Sequence, residues 1–222
     1  MSGYTFEKPK RKINRVFLHC SASDVEKHDD VSVMRDWHVN GRKWSDVGYH
    51  LFIKKDGTVQ DGRSLERTPC SAKGHNTSTI AICCHGLKRE KFTQQQFNSI
   101  HDLCNQINIE YDGKVSFHGH VEVANKSCPV YDYKGVLNLD GDGRMVLDSK
   151  IGDRTLEMLV PYGRDVAWIQ EKLECPPFDG LFGRMTEAAV KKFQEDTGLE
   201  IDGIVGFKTF EIMFDQFGDP NK

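Results

Sequence analysis

Short apolar runs alternate with segments of helical periodicity over the first 135 residues of the chain. The runs are Val16–Leu18, Gly48–Ile53 and Thr79–Cys84. Apolar side chains recur at helical spacing over residues 31–40 and 94–109, and Thr93 with Gln96 forms a capping-box pattern before the second of these segments. This alternation predicts an α/β fold in which helices flank a mixed central β-sheet.

Two further segments follow the second predicted helix. Val115–His118 returns to an extended pattern, and from Val136 to Leu147 two apolar runs flank the sequence Asp140-Gly-Asp142-Gly. Repeated Asp-Gly pairs also occur in calcium-binding loops, but Arg144 stands where an EF-hand loop needs a third oxygen ligand. The pattern therefore predicts the tip of a β-hairpin.

The C-terminal segment contains an internal repeat, Asp179-Gly-Leu-Phe-Gly183-Arg-Met-Thr186 and Asp202-Gly-Ile-Val-Gly206-Phe-Lys-Thr209. In each copy an Asp-Gly turn leads to a threonine that can cap a following helix. Helical spacing recurs in three segments, near residues 165–174, 187–197 and 208–217. We therefore expect a small C-terminal three-helix domain at residues 163–222, joined by a linker at residues 151–162 to a larger domain at residues 1–150.

Composition limits the partners of this chain. Its 222 residues include 30 basic and 33 acidic side chains, a formal net charge of -3, so no strong field favours nucleic acid. A run of about 18 apolar residues, which would predict a membrane span, is absent from the sequence, and so is a secretory signal. We expect a globular monomer that is made in the cytoplasm and binds neither nucleic acid nor membrane.

The seven cysteines are an odd number and lack the paired spacing of a zinc ribbon or a redox motif. Cys83, Cys84 and Cys104 lie in apolar segments and are expected in the core. Cys128 differs, because it follows Lys126 by two residues and precedes a proline. Most histidines show no comparable spacing and are interpreted as structural or exposed, namely His28, His38, His50, His85 and His101.

Imidazoles, a thiol and an ammonium group from distant segments could share one pocket. His19 follows the first apolar run, and Cys128 comes shortly after both His118 and His120. Imidazole nitrogen and thiolate sulfur are ligands that zinc prefers, and a site with three protein ligands leaves a fourth position for water, as in hydrolytic zinc enzymes. Positions two apart on a strand point to the same side, so the spacing alone leaves both later histidines as candidates.

Three separated motifs identify a family: His19-Cys-Ser-Ala-Ser23, Asp46-Val-Gly-Tyr49-His50 and Gly119-His120-Val-Glu-Val-Ala-Asn-Lys126-Ser-Cys128-Pro129. They resemble the type 2 N-acetylmuramoyl-L-alanine amidases, especially the phage amidase-lysozymes, which are related to animal peptidoglycan recognition proteins. The C-terminal repeat resembles the peptidoglycan-binding domain of many cell-wall hydrolases. The two resemblances cover different parts of the chain and imply the same substrate.

The resemblance implies that His19, His120 and Cys128 bind Zn²⁺ and that Tyr49 and Lys126 are the catalytic pair. Zinc lowers the pKa of a bound water to about 7, which makes hydroxide available at neutral pH. The Lys126 ammonium group would stabilise the oxyanion that develops on the amide carbonyl, and Tyr49 would orient the water or pass a proton to the leaving amine.

The segment Lys73-Gly-His75-Asn76 resembles part of the family's cleft, so these three polar side chains are expected to contact substrate. The expected reaction is zinc-dependent hydrolysis of the amide between the lactyl group of muramic acid and L-alanine of the peptidoglycan stem peptide. The expected role is that of a phage endolysin, which is made in the host cytoplasm and acts on the cell wall once the membrane is breached. The alternative is a non-catalytic peptidoglycan-recognition protein, and the retained thiol of Cys128 argues against it.

Overall fold

The structure is a computed structural model that describes residues 3–146, 152, 155–157, 164–176, 180 and 182–221. The chain divides into two compact units, Met1–Met145 and Val146–Lys222. The first unit contains a β-sheet with helices and the second contains helices, which confirms the predicted fold class. The predicted linker at residues 151–162 stays a prediction, because most of it lies outside the described residues.

The sheet has five strands, β1 (Arg15–Cys20), β2 (Leu51–Ile53), β3 (Val59–Asp61), β4 (Thr79–Cys84) and β5 (Ser116–Gly119). Their order across the sheet is β3-β2-β4-β1-β5. Strand β3 runs antiparallel to β2, and the other neighbours are parallel. The sheet is therefore mixed, as predicted, and the carboxyl ends of its parallel strands lie at one edge.

The two central strands form the core of the first unit. Strand β4 buries all six of its side chains, and β1 buries all but the first. This continuous burial is expected of parallel strands that are covered on both faces. Cys83, Cys84 and Cys104 are completely buried, which confirms the prediction that these cysteines are core residues.

The helices of the first unit are α1 (Val31–Asp36), α2 (Gln94–Glu110) and α3 (Tyr133–Leu137). Helix α1 continues directly into a π-helical turn, Trp37–Gly41. The predicted capping box of α2 is confirmed: Gln96 N donates to Thr93 Oγ1 at 3.1 Å, and Thr93 N donates to Gln96 Oε1 at 3.0 Å. No helix in the described part of the chain is long and apolar enough to cross a membrane.

The predicted hairpin over residues 136–147 is wrong in its first half, which is helical. Helix α3 begins after Asp132, whose Oδ1 accepts a hydrogen bond from Gly135 N at 3.1 Å. The helix ends at Asn138, which adopts a left-handed conformation with φ of 47°. Because both apolar residues at its C-terminal end are buried, the apolar run packs as a helical turn rather than as a strand.

The second half of this segment does form a tight turn. Leu139 and Met145 pair in a single antiparallel bridge. Between them, Asp140 Oδ1 accepts hydrogen bonds from Asp142 N and Arg144 N, both at 2.9 Å. That carboxylate stabilises the turn itself, in agreement with a hairpin tip rather than a calcium loop.

The second unit contains α4 (Arg164–Lys172), α5 (Arg184–Thr197) and α6 (Phe207–Phe217). The internal repeat of the sequence is also a structural repeat. Gly180 N donates to Gln170 Oε1 and Gly203 N donates to Gln194 Oε1, both at 2.8 Å. Both glycines have positive φ, 72° and 76°, and each is held by a buried glutamine of the preceding helix.

The predicted threonine caps of α5 and α6 are wrong. The residues before these helices are Gly183 and Gly206 in an extended conformation, without side-chain caps. Thr186 and Thr209 lie inside the first turn and are buried, where their hydroxyls have other partners. The Thr186 hydroxyl accepts from Gln170 at 3.2 Å, and the Thr209 hydroxyl donates to a backbone carbonyl at 3.3 Å. The threonines therefore stabilise the core of the repeat.

Candidate active site

Three side chains from distant parts of the first unit converge at one edge of the sheet. The nitrogen and sulfur donors of His19, His120 and Cys128 all lie within 4.8 Å of one another. His19 Nδ1 is 3.8 Å from Cys128 Sγ, and the two imidazole centroids are 4.7 Å apart. Among the described residues this is the one group of three or more histidine, cysteine or acidic side chains with such an arrangement.

The parallel pairing of β1 with β5 explains the convergence. His19 is near the carboxyl end of β1, and β5 ends at Gly119, directly before His120. The chain then makes a short 3₁₀ turn over His120–Glu122. Val121 N donates to the Cys128 carbonyl at 2.7 Å, and Cys20 N donates to Cys128 Sγ at 3.2 Å, so backbone contacts hold the thiol beside both histidines.

His118, the other candidate ligand, contacts residues outside the cluster. Its Nδ1 lies 2.7 Å from Glu122 Oε2, and its Nε2 lies 2.8 Å from Ser116 Oγ. The two histidines do not share one strand, because the extended conformation ends at Gly119. The rule that positions two apart on a strand point to the same side therefore does not apply to them.

The electrostatic environment keeps both imidazoles neutral. Burial, the neighbouring His120 and the charge of Lys126 hold the pKa of His19 well below its usual value. Burial and the same lysine lower the pKa of His120. The Cys20 thiol and burial raise the pKa of Cys128, and a divalent cation at this site would favour the thiolate instead.

The donor set fits zinc. Two neutral imidazoles and a cysteine sulfur are ligands that Zn²⁺ binds readily. His19 is completely buried, and its Nε2 has no hydrogen-bond partner in the part of the chain that the structure describes. An unsatisfied buried polar group costs about 1–3 kcal/mol, which is tolerated where a ligand satisfies it.

Tyr49 and Lys126 both lie near this cluster. The Tyr49 ring centroid is 5.1 Å from that of His19. Burial raises the pKa of Tyr49 well above its usual value, so its phenol is protonated at neutral pH. Lys126 is exposed, yet it is close enough for its charge to lower the pKa of both histidines. The structure thus places the Tyr49 ring beside His19 and places Lys126 within electrostatic range of both histidines, while their catalytic roles stay a prediction.

Lys73, His75 and Asn76 lie in the loop that precedes β4. The Asn76 side-chain carbonyl accepts hydrogen bonds from two backbone N–H groups of its own loop, at 3.0 and 2.9 Å. No hydrogen bond or ion pair joins the three side chains to the cluster within the described ranges.

A row of aromatic rings lies beside the cluster, and the sequence analysis did not predict it. From His19 it passes to Tyr49, then to His38 at 5.6 Å between centroids, and then to Trp44, which stacks on His38 at 4.7 Å. The Arg42 guanidinium lies 5.3 Å from the Trp44 ring centroid. The sequence feature that could have indicated this row is the pair Arg42 and Trp44, which lies in the connection that leads to Tyr49.

The backbone of this connection is unusual. Arg42 N donates to the Trp37 carbonyl at 3.0 Å, a π-helical bond of the kind often found at functional sites. Lys43 is left-handed, with φ of 59°. His38 Nδ1 accepts from Gly48 N at 3.1 Å, and burial lowers the pKa of His38 to about 4. His38 is therefore a neutral imidazole with its proton on Nε2.

The chain matches two protein families. Residues 9–131 match the N-acetylmuramoyl-L-alanine amidase family, and residues 162–213 match a peptidoglycan binding domain family. Since the first match covers more than half of the chain, the protein belongs to the N-acetylmuramoyl-L-alanine amidase family. It is an amidase that acts on peptidoglycan and carries a C-terminal peptidoglycan-binding domain. The family resemblance of the sequence motifs is confirmed, and the non-catalytic alternative is not supported.

Similar proteins include phage enzymes. The endolysins of Enterobacteria phage T3 and Escherichia phage T7 are each 37% identical over 133 residues, which cover 57% of this chain and 87% of theirs. The endolysin of the Thermus scotoductus bacteriophage Ph2119 has a similar structure, with 21% identity and a TM-score of 0.52 over 61% of this chain and 87% of that one. The amidase LysCS from Clostridium intestinale is similar at 24% identity and a TM-score of 0.52, covering 61% and 90%. The two structural likenesses concern the fold.

Proposed function

We propose that this amidase is zinc-dependent and cleaves the bond between the lactyl group of muramic acid and L-alanine of the stem peptide. The observation that carries the proposal is the convergence of His19, His120 and Cys128 within 4.8 Å. Bound zinc supplies Lewis acidity toward a carbonyl and lowers the pKa of a coordinated water to about 7. The three side chains provide the ligand number of a hydrolytic rather than a structural site.

Lys126 and Tyr49 act on the two ends of the reacting amide. The exposed ammonium group of Lys126 stabilises the negative charge that develops on the carbonyl oxygen. The Tyr49 phenol, which burial keeps protonated, donates a hydrogen bond and can pass its proton to the leaving amine of L-alanine. The proton-donor role needs a phenol that is protonated at neutral pH, and the raised pKa of Tyr49 meets that requirement.

We propose that the aromatic row leads from the cluster to contacts for the stem peptide at Trp44, which is partly exposed, and at the exposed Arg42, while the rings of His19 and His38 are buried. Its successive centroids are 5.1, 5.6 and 4.7 Å apart, whereas an extended peptide advances about 3.3–3.6 Å per residue. A peptide whose first residue lies at the cluster thus reaches Trp44 and Arg42 with its next residues. The exposed guanidinium of Arg42 suits a carboxylate of the peptide. Lys73, His75 and Asn76, in the loop before β4, remain proposed contacts of the substrate.

Arg42→Ala is expected to raise KM about tenfold and to leave kcat within about twofold, since a lost charge-assisted hydrogen bond of about 1.4 kcal/mol corresponds to a tenfold change in affinity. Initial rates on a soluble muropeptide series check this result. Arg89→Ala, which removes an exposed arginine from the 3₁₀ turn Arg89–Lys91, is the control. An unchanged KM for Arg42→Ala would remove this residue from the peptide-binding surface.

Product analysis tests the proposed bond. Purified peptidoglycan is digested with zinc-loaded protein and with chelated protein, and the products are identified by mass and by their new amino termini. The loaded protein is expected to release stem peptides that begin with a free L-alanine, and the chelated protein none. Glycan fragments, cleaved cross-bridges or release that is insensitive to the chelator would contradict the proposal.

The C-terminal domain, proposed at residues 163–222, holds the enzyme on the wall. Its match to a peptidoglycan binding domain family covers residues 162–213. Tethering to an insoluble substrate raises the effective concentration of a catalytic domain without any change in its active site. Removal of this domain is therefore expected to slow hydrolysis of intact walls more than hydrolysis of soluble muropeptides.

We also propose an endolysin role, in which the chain is made in the host cytoplasm and acts on the wall after the membrane is breached. The support is the 37% identity to the endolysins of phages T3 and T7. Escherichia cells that produce the chain should stay intact until chloroform permeabilises the membrane and should then lyse. Lysis before permeabilisation, or intact cells after it, would contradict this role.

A further inference from the structure

The Glu122 carboxylate joins the segments on either side of the turn that carries His120. Glu122 Oε2 lies 2.7 Å from His118 Nδ1. Glu122 Oε1 accepts a hydrogen bond from the Tyr133 hydroxyl and a longer one, 3.4 Å, from Gly119 N. These partners belong to the end of β5 and to the start of α3. The carboxylate therefore links strand and helix across the turn.

The members of this network are themselves held in place. A Cβ on Gly119 would lie 2.5 Å from Tyr133 Cε1 and 3.0 Å from Pro129 Cδ, so the tyrosine ring packs directly against the backbone at the end of β5. The Tyr133 side chain is buried, and its hydroxyl donates a hydrogen bond to the Glu122 carboxylate. His118 is held on its other side by Ser116 Oγ at 2.8 Å. The carboxylate thus has partners with fixed positions.

His120 has no comparable support on its own side chain. Histidines that bind metal usually donate their second ring N–H to a partner that fixes the ring. No side-chain hydrogen bond of His120 is found within the described residues. Its direction therefore depends on the backbone of the turn that Glu122 closes.

We propose that Glu122 is a positioning residue that sets the direction of His120 through the turn at residues 120–122. The inference rests on the proposed zinc site. It gives His118 a role as well: the histidine that competed with His120 as a ligand orients Glu122 instead. A simple surface ion pair is the competing explanation, since His118 and Glu122 are 21% and 32% exposed and such pairs contribute little to stability.

Zinc affinity separates the two explanations. Glu122→Ala in the full chain is expected to weaken zinc binding about 10–100-fold, the usual effect of removing a residue that orients a metal ligand. Glu122→Gln keeps the acceptor for Tyr133 and Gly119 N and should restore most of the affinity. Chelator competition measures the dissociation constant, and the visible absorption of the Co²⁺-substituted protein reports ligand geometry. The melting temperature of the metal-free protein is expected to fall under either explanation, because Glu122→Ala removes the acceptor of Tyr133 and Gly119 N, so the zinc affinity and the Co²⁺ spectrum decide between them.

Glu90→Ala, which removes an exposed glutamate from a different 3₁₀ turn, is the matched control and should bind zinc like the unmodified chain. Tyr133→Phe removes one hydroxyl and provides a second test should the alanine variant fail to fold, and it is expected to weaken zinc binding in the same direction. Normal zinc affinity in a folded Glu122→Ala, or in Tyr133→Phe, would overturn the inference about Glu122 alone. An unmodified chain that binds no zinc would overturn the proposed function together with it.

Discussion

Replacement of Cys128 by serine is expected to abolish zinc binding and the release of stem peptides. Cys128 Sγ lies 3.8 Å from His19 Nδ1 and is the one sulfur in the proposed ligand set. A serine hydroxyl is much less acidic than a thiol, so two imidazoles are left to hold the ion. Since a residue that only orients a ligand contributes about 10–100-fold to metal affinity, loss of the ligand itself should exceed 100-fold. Metal analysis of the purified protein measures this loss.

The same variant separates the two domains of the enzyme. Cys128→Ser should still sediment with insoluble peptidoglycan, because the peptidoglycan-binding domain lies in the other part of the chain. Cys70→Ser, a change of a partly buried cysteine outside the cluster, is the control and should keep its zinc. Zinc content in Cys128→Ser equal to that of the unmodified chain would remove this residue from the site.

Lys126→Met is expected to lower kcat about 10²–10³-fold, as loss of a group that stabilises an oxyanion does. Methionine keeps most of the side-chain length and removes the charge. Zinc content should stay at the value of the unmodified chain, because Lys126 donates no metal ligand, and KM should change by less than about threefold if the charge acts mainly in the transition state. Steady-state kinetics on a soluble muropeptide, together with metal analysis, check both expectations.

A second exposed lysine provides the comparison. Lys134 lies on α3, close in sequence but outside the cluster, so Lys134→Met should leave kcat unchanged. If Lys126→Met also keeps its kcat, the ammonium group is a bystander at the rim of the site. If its zinc content falls instead, Lys126 supports the ligands rather than the reaction.

Much of the fold follows from the order of residues in the chain. The apolar runs of β1 and β4 and the capping box of α2 are local signals, and the structure has these elements where they predict them. The proximity of His19 to His120 also follows from local information, once β1 and β5 are parallel neighbours. Sequence motifs selected His120 over His118, and the end of β5 at Gly119 supplies the physical reason.

Other features depend on contacts that local patterns do not contain. Helix α3 forms because a buried apolar pair packs as a turn after Asp132, although the same pair also fits a strand. Gly183, and not a threonine, lies at the N-terminal cap of α5. Thr186, the expected cap, lies inside the first turn, where its hydroxyl accepts a hydrogen bond from Gln170 of α4. The network around Glu122 requires Tyr133, whose approach depends on the missing side chain of Gly119. These are tertiary effects, which override local preference.

In the proposed mechanism, His19, His120 and Cys128 hold a zinc ion that the reaction requires. The most direct test titrates Zn²⁺ into chelated protein and measures, at each point, bound zinc and newly released L-alanine amino termini from peptidoglycan. Activity is expected to rise in proportion to bound zinc and to saturate at one ion per chain. Full activity in the metal-free protein, or zinc bound at one ion per chain without any release, would contradict it.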